Sequence, residues 1–233
     1  MYARPLYILA AATLASLSFR PVQTDNRLTP TDRKGGQTLL FNGRDMHGWR
    51  TYKKKPCNCW EVVDGTLHCK GGGNDRADLI TTTKYGDFDL DVDWKISSQG
   101  NSGILYRVTE DYDESFLSGP EYQLIDDEHY PEKLEDYQHT GANYAMNVPS
   151  SVPTKPVGEW NHTRIVVHEG HVEHWLNGVK VVDYQLGTDD WKSRKAAGKW
   201  KDAPGYGMAK TGYIALQDHG DQVWFKNIKI KSL

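Results

Sequence analysis

Seven polar side chains have the types and spacing for proton transfer on a hydroxyl-rich ligand: Asn101, Arg107, Glu121, Gln123, Tyr144, Gln217 and His219. Glu121 and His219 are the candidates for general base and general acid, because a carboxyl and an imidazole both titrate usefully once partly buried. Arg107 is a planar cation able to polarise a carbonyl oxygen or simply to orient Glu121. Asn101, Gln123 and Gln217 supply amides that suit sugar hydroxyls, and Tyr144 could wall the site. Each has a plainer alternative: an Arg107–Glu121 ion pair, a histidine capping its own turn, and amide ladders across a sheet.

Two neighbouring stretches must hold most of these groups. NSGILYRV and GPEYQLID, within residues 100–126, alternate apolar and polar residues, the period of strands with one buried and one wet face. Asn101, Arg107, Glu121 and Gln123 then share the wet face. In the closing stretch GYIALQDHGDQVWFKNIKIKSL, two strands joined at His219-Gly220-Asp221, Ile214 and Leu216 point inward and turn Gln217 and His219 to the wet side. Tyr144 lies with Tyr130, Tyr137 and His139 in a long loop over residues 127–156, and loops of that length commonly carry function.

The remaining elements read as strands and tight turns. WEVVDGTLHCK is a hairpin about Asp64-Gly65, and WNHTRIVVHEGHVEHWLNGVKVVDYQ is a meander with turns at Glu169-Gly170 and Asn177-Gly178. His171 and His174 are three apart and so point to opposite faces, which argues against a metal cluster with His168. DFDLDVDWKIS alternates from Asp87 to Ile96, burying Phe88, Leu90, Val92, Trp94 and Ile96. Its aspartates Asp87, Asp89, Asp91 and Asp93 are spread too far along a stiff strand to converge on one cation, so they read as a solvated face. TDDWKSRKAAGKWK, acidic first and basic last, is the one convincing helix. About a dozen short strands and one short helix predict an all-β fold, an antiparallel two-sheet sandwich.

With 233 residues and 38% hydrophobic content the chain can bury a full core. Residues 1–20 have the form of a secretory signal, Arg4 before an uncharged apolar run, which predicts export to a periplasmic or extracellular space, an uncleaved anchor being the alternative. Residues 21–36 read as a linker and 37–233 as one domain. Losing Arg4 and Arg20 with the leader takes the formal charge from −3 to −5, and an acidic chain has no basic footprint for nucleic acid. Cys57, Cys59 and Cys69 could supply one disulfide in an exported protein. The hairpin register sets Trp60 opposite Cys69 and turns Cys59 away, so the pairing stays open, and zinc lacks a fourth ligand.

The order of LFNGRDMHGW, WEVVDGTLHC, YGDFDLDVDWKI, GNSGILYRV, GPEYQLID, EWNHTRIVVHEGHVEHWLNG and GYIALQDHGDQVWFKNIKI resembles the 3-keto-disaccharide hydrolase domain family from about residue 37 to the C-terminus. The resemblance implies a concanavalin-like jelly roll and cleavage of glycosides already oxidised to a ketone at C3. Such a ketone acidifies the C2 proton, so one base and one donor near the ketone oxygen suffice for elimination at C1 followed by hydration. EYQLID offers Glu121 and Gln123 but not the alternate acids of laminarinase-type enzymes. A divalent metal could assist, although no motif fixes its ligands, and the acidic loop Glu110 to Glu114 could bind calcium. The expected partner is an oxidised sugar; the oligomeric state is left open. Two rivals remain: a noncatalytic carbohydrate-binding module on the same jelly roll, and an ordinary glycosidase. The latter needs a second carboxylate about 5–10 Å from Glu121, and alternation turns Asp126 and Asp218 away.

Overall fold

The computed structural model describes residues 25–233; the leader expected over 1–20 and the first residues of the expected linker, 21–24, lie outside them. Thirteen strands occur among the described residues: β1 (Thr38–Leu39), β2 (Trp49–Thr51), β3 (Trp60–Val63), β4 (Thr66–Cys69), β5 (Leu79–Thr81), β6 (Phe88–Ile96), β7 (Asn101–Val108), β8 (Glu121–Ile125), β9 (Asn161–His168), β10 (His171–Leu176), β11 (Val179–Gln185), β12 (Tyr213–Leu216) and β13 (Val223–Ser232). They form two antiparallel sheets. The larger runs β11-β10-β9-β6-β13-β4-β3, with β1 beside β13, and the smaller runs β2-β5-β12-β7-β8. The all-β sandwich follows from the period-two pattern, as expected.

Turn chemistry sets the hairpins. Asp64-Gly65, Glu169-Gly170 and Asn177-Gly178 all take positive φ at both positions, the geometry that joins twisted strands with two residues. The closing pair behaves otherwise. β12 lies in the small sheet and β13 in the large one, so His219-Gly220-Asp221 crosses between layers rather than closing a hairpin.

β6 alternates buried and half-exposed residues along its whole length. Its buried side meets Ile104, Tyr106, Tyr122, Leu124, Ile214 and Leu216 from the small sheet, and each such fully buried side chain contributes about 1.5–3 kcal/mol. On its outer side the four aspartates meet basic side chains. Arg164 grips Asp89 through two 2.7 Å bonds, and His162 lies 3.2 Å from Asp91 and 2.7 Å from Asp93. The histidines diverge as the spacing requires: His171 pairs with Asp183 at 2.8 Å, while His174 is buried between Tyr106 Oη and the Gly141 carbonyl, both at 2.9 Å.

Two readings change, and the open cysteine pairing is answered. The segment 25–36, taken as linker, is folded onto the sandwich: Asn26 and Asn227 exchange bonds of 2.6 and 2.9 Å, and Asn26 reaches the Gly65 carbonyl at 2.8 Å. It also carries a short helix α1 (Pro30–Lys34), capped by Thr29 and Asp32, besides the expected helix, here α2 (Asp189–Ala197). Cys57 is joined to Cys59, and Cys69 is a buried free thiol.

The His162 contacts predict a pH-dependent stability. Hydrogen bonds to Asp91 and Asp93 raise its pKa from 6.5 to about 9, so the protonated pair stabilises the fold below pH 6.5 and is lost as pH rises through about 9. Its side chain is 46% exposed. His162→Gln should therefore lower Tm by only about 1–4 °C at pH 6, matching an exposed pair of about 0.2–1 kcal/mol. Calorimetry at pH 9.5 should find that deficit gone.

Candidate functional site

The small sheet has no wet face. β8 is buried at every position and β7 at all but Asn101, because a 3₁₀ turn (Ser115–Leu117), the loop over 127–156 and a second 3₁₀ turn (Lys199–Asp202) cover its outer side. Part of that outer side is itself apolar: Leu105, Val108, Ile80 and Ala215 form a second small core with Tyr52, against which Phe116 packs. The polar residues are left in a cavity of about 180 Å³ lined by Asn101, Glu121, Gln123, Tyr144, Gln217 and His219 together with Phe116, Lys199 and Trp200. Six of the seven expected residues are thus brought together.

Glu121 reaches the cavity because its cross-strand neighbourhood is empty. It pairs with Leu105 while Gln123 pairs with Gly103. A β-carbon on Gly103 would collide with the Glu121 carboxyl, so the bare backbone there is what gives the acid its room. Glu121 is 4% exposed. Burial lifts its pKa to about 8, the Lys199 charge pulls the other way, and Asp78 adds a further upward push. At neutral pH the group is mostly protonated, and when ionised it is a stronger base than an ordinary carboxylate.

The amides are poised differently. Gln123 donates to Asn101 Oδ1 at 3.1 Å, a ladder that still leaves the Asn101 amide and the Gln123 oxygen for a ligand. Gln217 Oε1 is buried with no partner among the described residues, an orphan acceptor that a ligand hydroxyl would satisfy. His219 stands at the mouth. Packing of part of its ring, ahead of the charges around it, holds its pKa below the usual histidine value. Its turn is held instead by Asp218, which accepts from Gly220 N at 3.1 Å, and by Arg76, which donates to the His219 carbonyl at 2.8 Å. The imidazole is therefore not the cap of its own loop.

Arg107 is a correction. Where β12 spends two residues from Tyr213 to Ala215, β7 spends three from Leu105 to Val108, and Arg107 takes φ of 54°. This bulge puts Val108 rather than Arg107 on the outer face. The guanidinium turns away, donates to Asp87 at 3.0 Å and lines a separate cavity.

The cation of the site is Lys199 instead. Its ammonium lies 4.4 Å above the Tyr144 ring and 4.9 Å from that of Trp200, with no carboxylate partner among the described residues. Trp200 is fixed beneath it by a stack on Tyr206 at 4.4 Å and by a 3.1 Å bond from its indole to the Tyr144 carbonyl. Lys199, Trp200 and Phe116 were missed by sequence reasoning. The available signal was Gly198, which ends α2 immediately before Lys199-Trp200 and so detaches that pair from the helix's solvent-facing charge pattern. Of the other loop aromatics, Tyr137 is 41% exposed and His139 pairs with Asp127 at 3.0 Å, so neither walls this cavity.

Among the described residues Glu121 is the only acid lining the cavity. Asp126 caps a turn through Gln99, Glu128 and His129 backbone groups, and Asp218 lies under the His219 turn. The cavity also lacks three convergent metal ligands; among the described residues such groups occur elsewhere.

The model of the 3-keto-alpha-glucoside-1,2-lyase-like domain matches residues 36–231. The chain belongs to this family. It is 35% identical, over 94% of its own length and 85% of the other, to a 3-keto-disaccharide hydrolase of Bacteroides thetaiotaomicron. A crystal structure from Parabacteroides distasonis, described provisionally as a glycosyl hydrolase, superimposes with a TM-score of 0.84 at 47% identity, covering 90% of this chain and 99% of that one. More remote is a galectin-like protein of Bacillus subtilis, at 12% identity and a TM-score of 0.53 over 84% and 94% of the two chains, which shares the fold alone. Membership of the family makes the chain a carbohydrate-active hydrolase.

The charges around Glu121 predict opposite shifts from two substitutions. Lys199→Met removes the cation that lowers its pKa and should move it further above about 8; Asp78→Asn removes a like charge and should move it down. Carbon-13 NMR titration of labelled glutamate would read both, and equal shifts of the same sign would contradict the geometry.

Proposed function

We propose that this protein cleaves 3-keto-glycosides or 3-keto-disaccharides by proton abstraction at C2, elimination at C1 and hydration. The observation that carries this reading is a single buried carboxyl with a raised pKa, in one cavity with an ammonium that has no carboxylate partner and with no second acid among the described residues. A conventional glycosidase needs two carboxyl groups flanking one bond. Elimination needs one base.

Glu121 takes the C2 proton, and the C2–H electron pair becomes an enolate on the C3 oxygen. Lys199 faces that oxygen, and its charge is worth most while the cavity excludes water. The enolate then expels the group at C1, whose oxygen regains a proton from the Glu121 carboxyl. His219, held neutral at the mouth, hydrogen-bonds the departing oxygen and then the water that adds across C1 and C2. Gln217, Gln123 and Asn101 hold the remaining hydroxyls and orient the C2–H bond toward Glu121. The leader-like residues 1–20 support action outside the cytoplasm.

Purified protein incubated with a 3-keto-glucoside and with its parent glucoside tests the reading. Cleavage of the keto compound alone is expected, with kcat/KM rising about tenfold per pH unit below pH 8 and levelling above it. Glu121→Gln should cut kcat by about 10²–10⁴-fold and abolish deuterium exchange at C2 in heavy water. Equal cleavage of the parent sugar would sink the ketone mechanism, and binding without turnover of either compound would identify a carbohydrate-binding module.

A further inference from the structure

The cavity around Glu121 is too small for the whole of a disaccharide. It measures about 180 Å³, well below the roughly 300–1,000 Å³ that encloses a complete drug-sized ligand. It suits the ketone-bearing ring alone, and the group at C1 needs a second space. A cavity of about 310 Å³ is lined by Ser98, Gln99, Tyr130, Glu132 and Asp221, together with Pro131. Two segments of chain lead from one cavity to the other. Asn101 lines the first and Gln99 the second; His219 lines the first and Asp221 the second. A step of two residues spans at most about 7 Å. The segments are also joined to each other, because Asn101 N donates to Asp221 Oδ2 at 3.0 Å. The cavities therefore share a rim formed by Asn101 and the His219 turn.

A buried carboxylate holds both flanks of this second cavity. Asp126 follows the end of β8, the strand that carries Glu121, and is 2% exposed. It accepts from Gln99 N at 2.8 Å, and Gln99 sits at a φ of 61°. Such a left-handed conformation costs about 1–3 kcal/mol outside glycine and persists only where its surroundings enforce it. The same carboxylate accepts from Glu128 N at 3.2 Å and His129 N at 3.1 Å, and its residue's carbonyl accepts from Tyr130 N at 3.2 Å. Gln99 and Tyr130 are thereby fixed relative to the strand of the proposed base.

The lining selects the occupant. The side chains of Ser98, Gln99 and Tyr130 hydrogen-bond no other described residue and remain for a ligand's hydroxyls. Half-buried Tyr130 also offers a ring to the C–H face of a sugar. Glu132 and Asp221 are the charged groups of the lining, and neither has a basic partner among the described residues. An uncharged sugar meets hydroxyl-binding groups there, whereas an acidic one meets like charge. We infer that this cavity is the subsite for the leaving group and selects a neutral, hydroxyl-rich sugar over an acidic one, with Tyr130 and Glu132 as specificity-determining residues. The inference rests on the elimination reading above, in which the group at C1 departs beside His219.

Three substrates test it: methyl 3-keto-glucoside, a 3-keto-disaccharide with a neutral second sugar, and the analogue whose second sugar is a uronic acid. In the unaltered protein kcat/KM should be about tenfold or more higher for the neutral disaccharide than for either of the others. Tyr130→Ala, its fold checked by circular dichroism, should reduce the preference for that disaccharide over the methyl glycoside about tenfold, mainly through KM. Glu132→Gln should improve kcat/KM on the uronic acid substrate about fivefold at low ionic strength. The gain should shrink at about 1 M salt, where charges are screened beyond about 3 Å. Calorimetric binding of the same sugars to the Glu121→Gln protein reads these contrasts without turnover, so a failure of the elimination chemistry is told apart from a failure of the subsite. Equal binding of methyl glycoside and neutral disaccharide would overturn the subsite, as would a Tyr130→Ala defect of the same size on both. Unchanged discrimination against the uronic acid in Glu132→Gln would overturn the selection by charge.

Discussion

A carboxyl group buried with no counter-ion in contact with it among the described residues is the constraint around which the small sheet is arranged. Glu121 is costly to ionise where it stands, and its pKa near 8 expresses that cost. Holding it there requires walls that do not neutralise it. Leu105, Phe116, Tyr144 and Trp200 exclude water without offering a charge, and Lys199 is kept at a distance over aromatic rings rather than in an ion pair. The stability for this comes from the interior between the sheets, where β6 and the inner residues of β7, β8 and β12 form a largely apolar layer with its few polar groups hydrogen-bonded, as His174 is to Tyr106.

The two sheets treat charge in opposite ways. On the outer face of the large sheet, carboxylates meet bases across strands: Asp89 with Arg164, and Asp91 and Asp93 with His162. These contacts are half-exposed and individually weak, a surface that costs the fold little. The small sheet leaves its acid unsatisfied and spends loops and a helix end on shielding it. Scaffold and reactive face are therefore distinguished by how completely each pairs its charges, although both arise from the same alternating pattern.

Much of this was legible in the residues. Alternation located β6, β7 and β8, the Asp-Gly, Glu-Gly and Asn-Gly turns fixed three hairpins, and the same arithmetic placed Asn101, Glu121, Gln123, Gln217 and His219 on one side of one sheet. Arg107 failed because alternation assumes an unbroken register, and a bulge of one residue reverses every side chain beyond it. Lys199 and Trp200 were hidden because a period describes an element and not the surface on which its end will dock. The folded segment at 25–34 escaped for a related reason: Asn26 is ordered by Asn227, two hundred residues away, and nothing local announces that partnership.

Gly103 carries a consequence of a different kind. The space that an ordinary residue would fill with its β-carbon is occupied by the Glu121 carboxyl. The amides of Asn101, Gln123 and Gln217 depend on no such gap, and neither does the sandwich. Recognition and reactivity on this sheet are therefore separable by a single methyl group. A lectin-like receptor and an enzyme could share this backbone and most of its sugar contacts, differing in whether one position on one strand has a side chain at all.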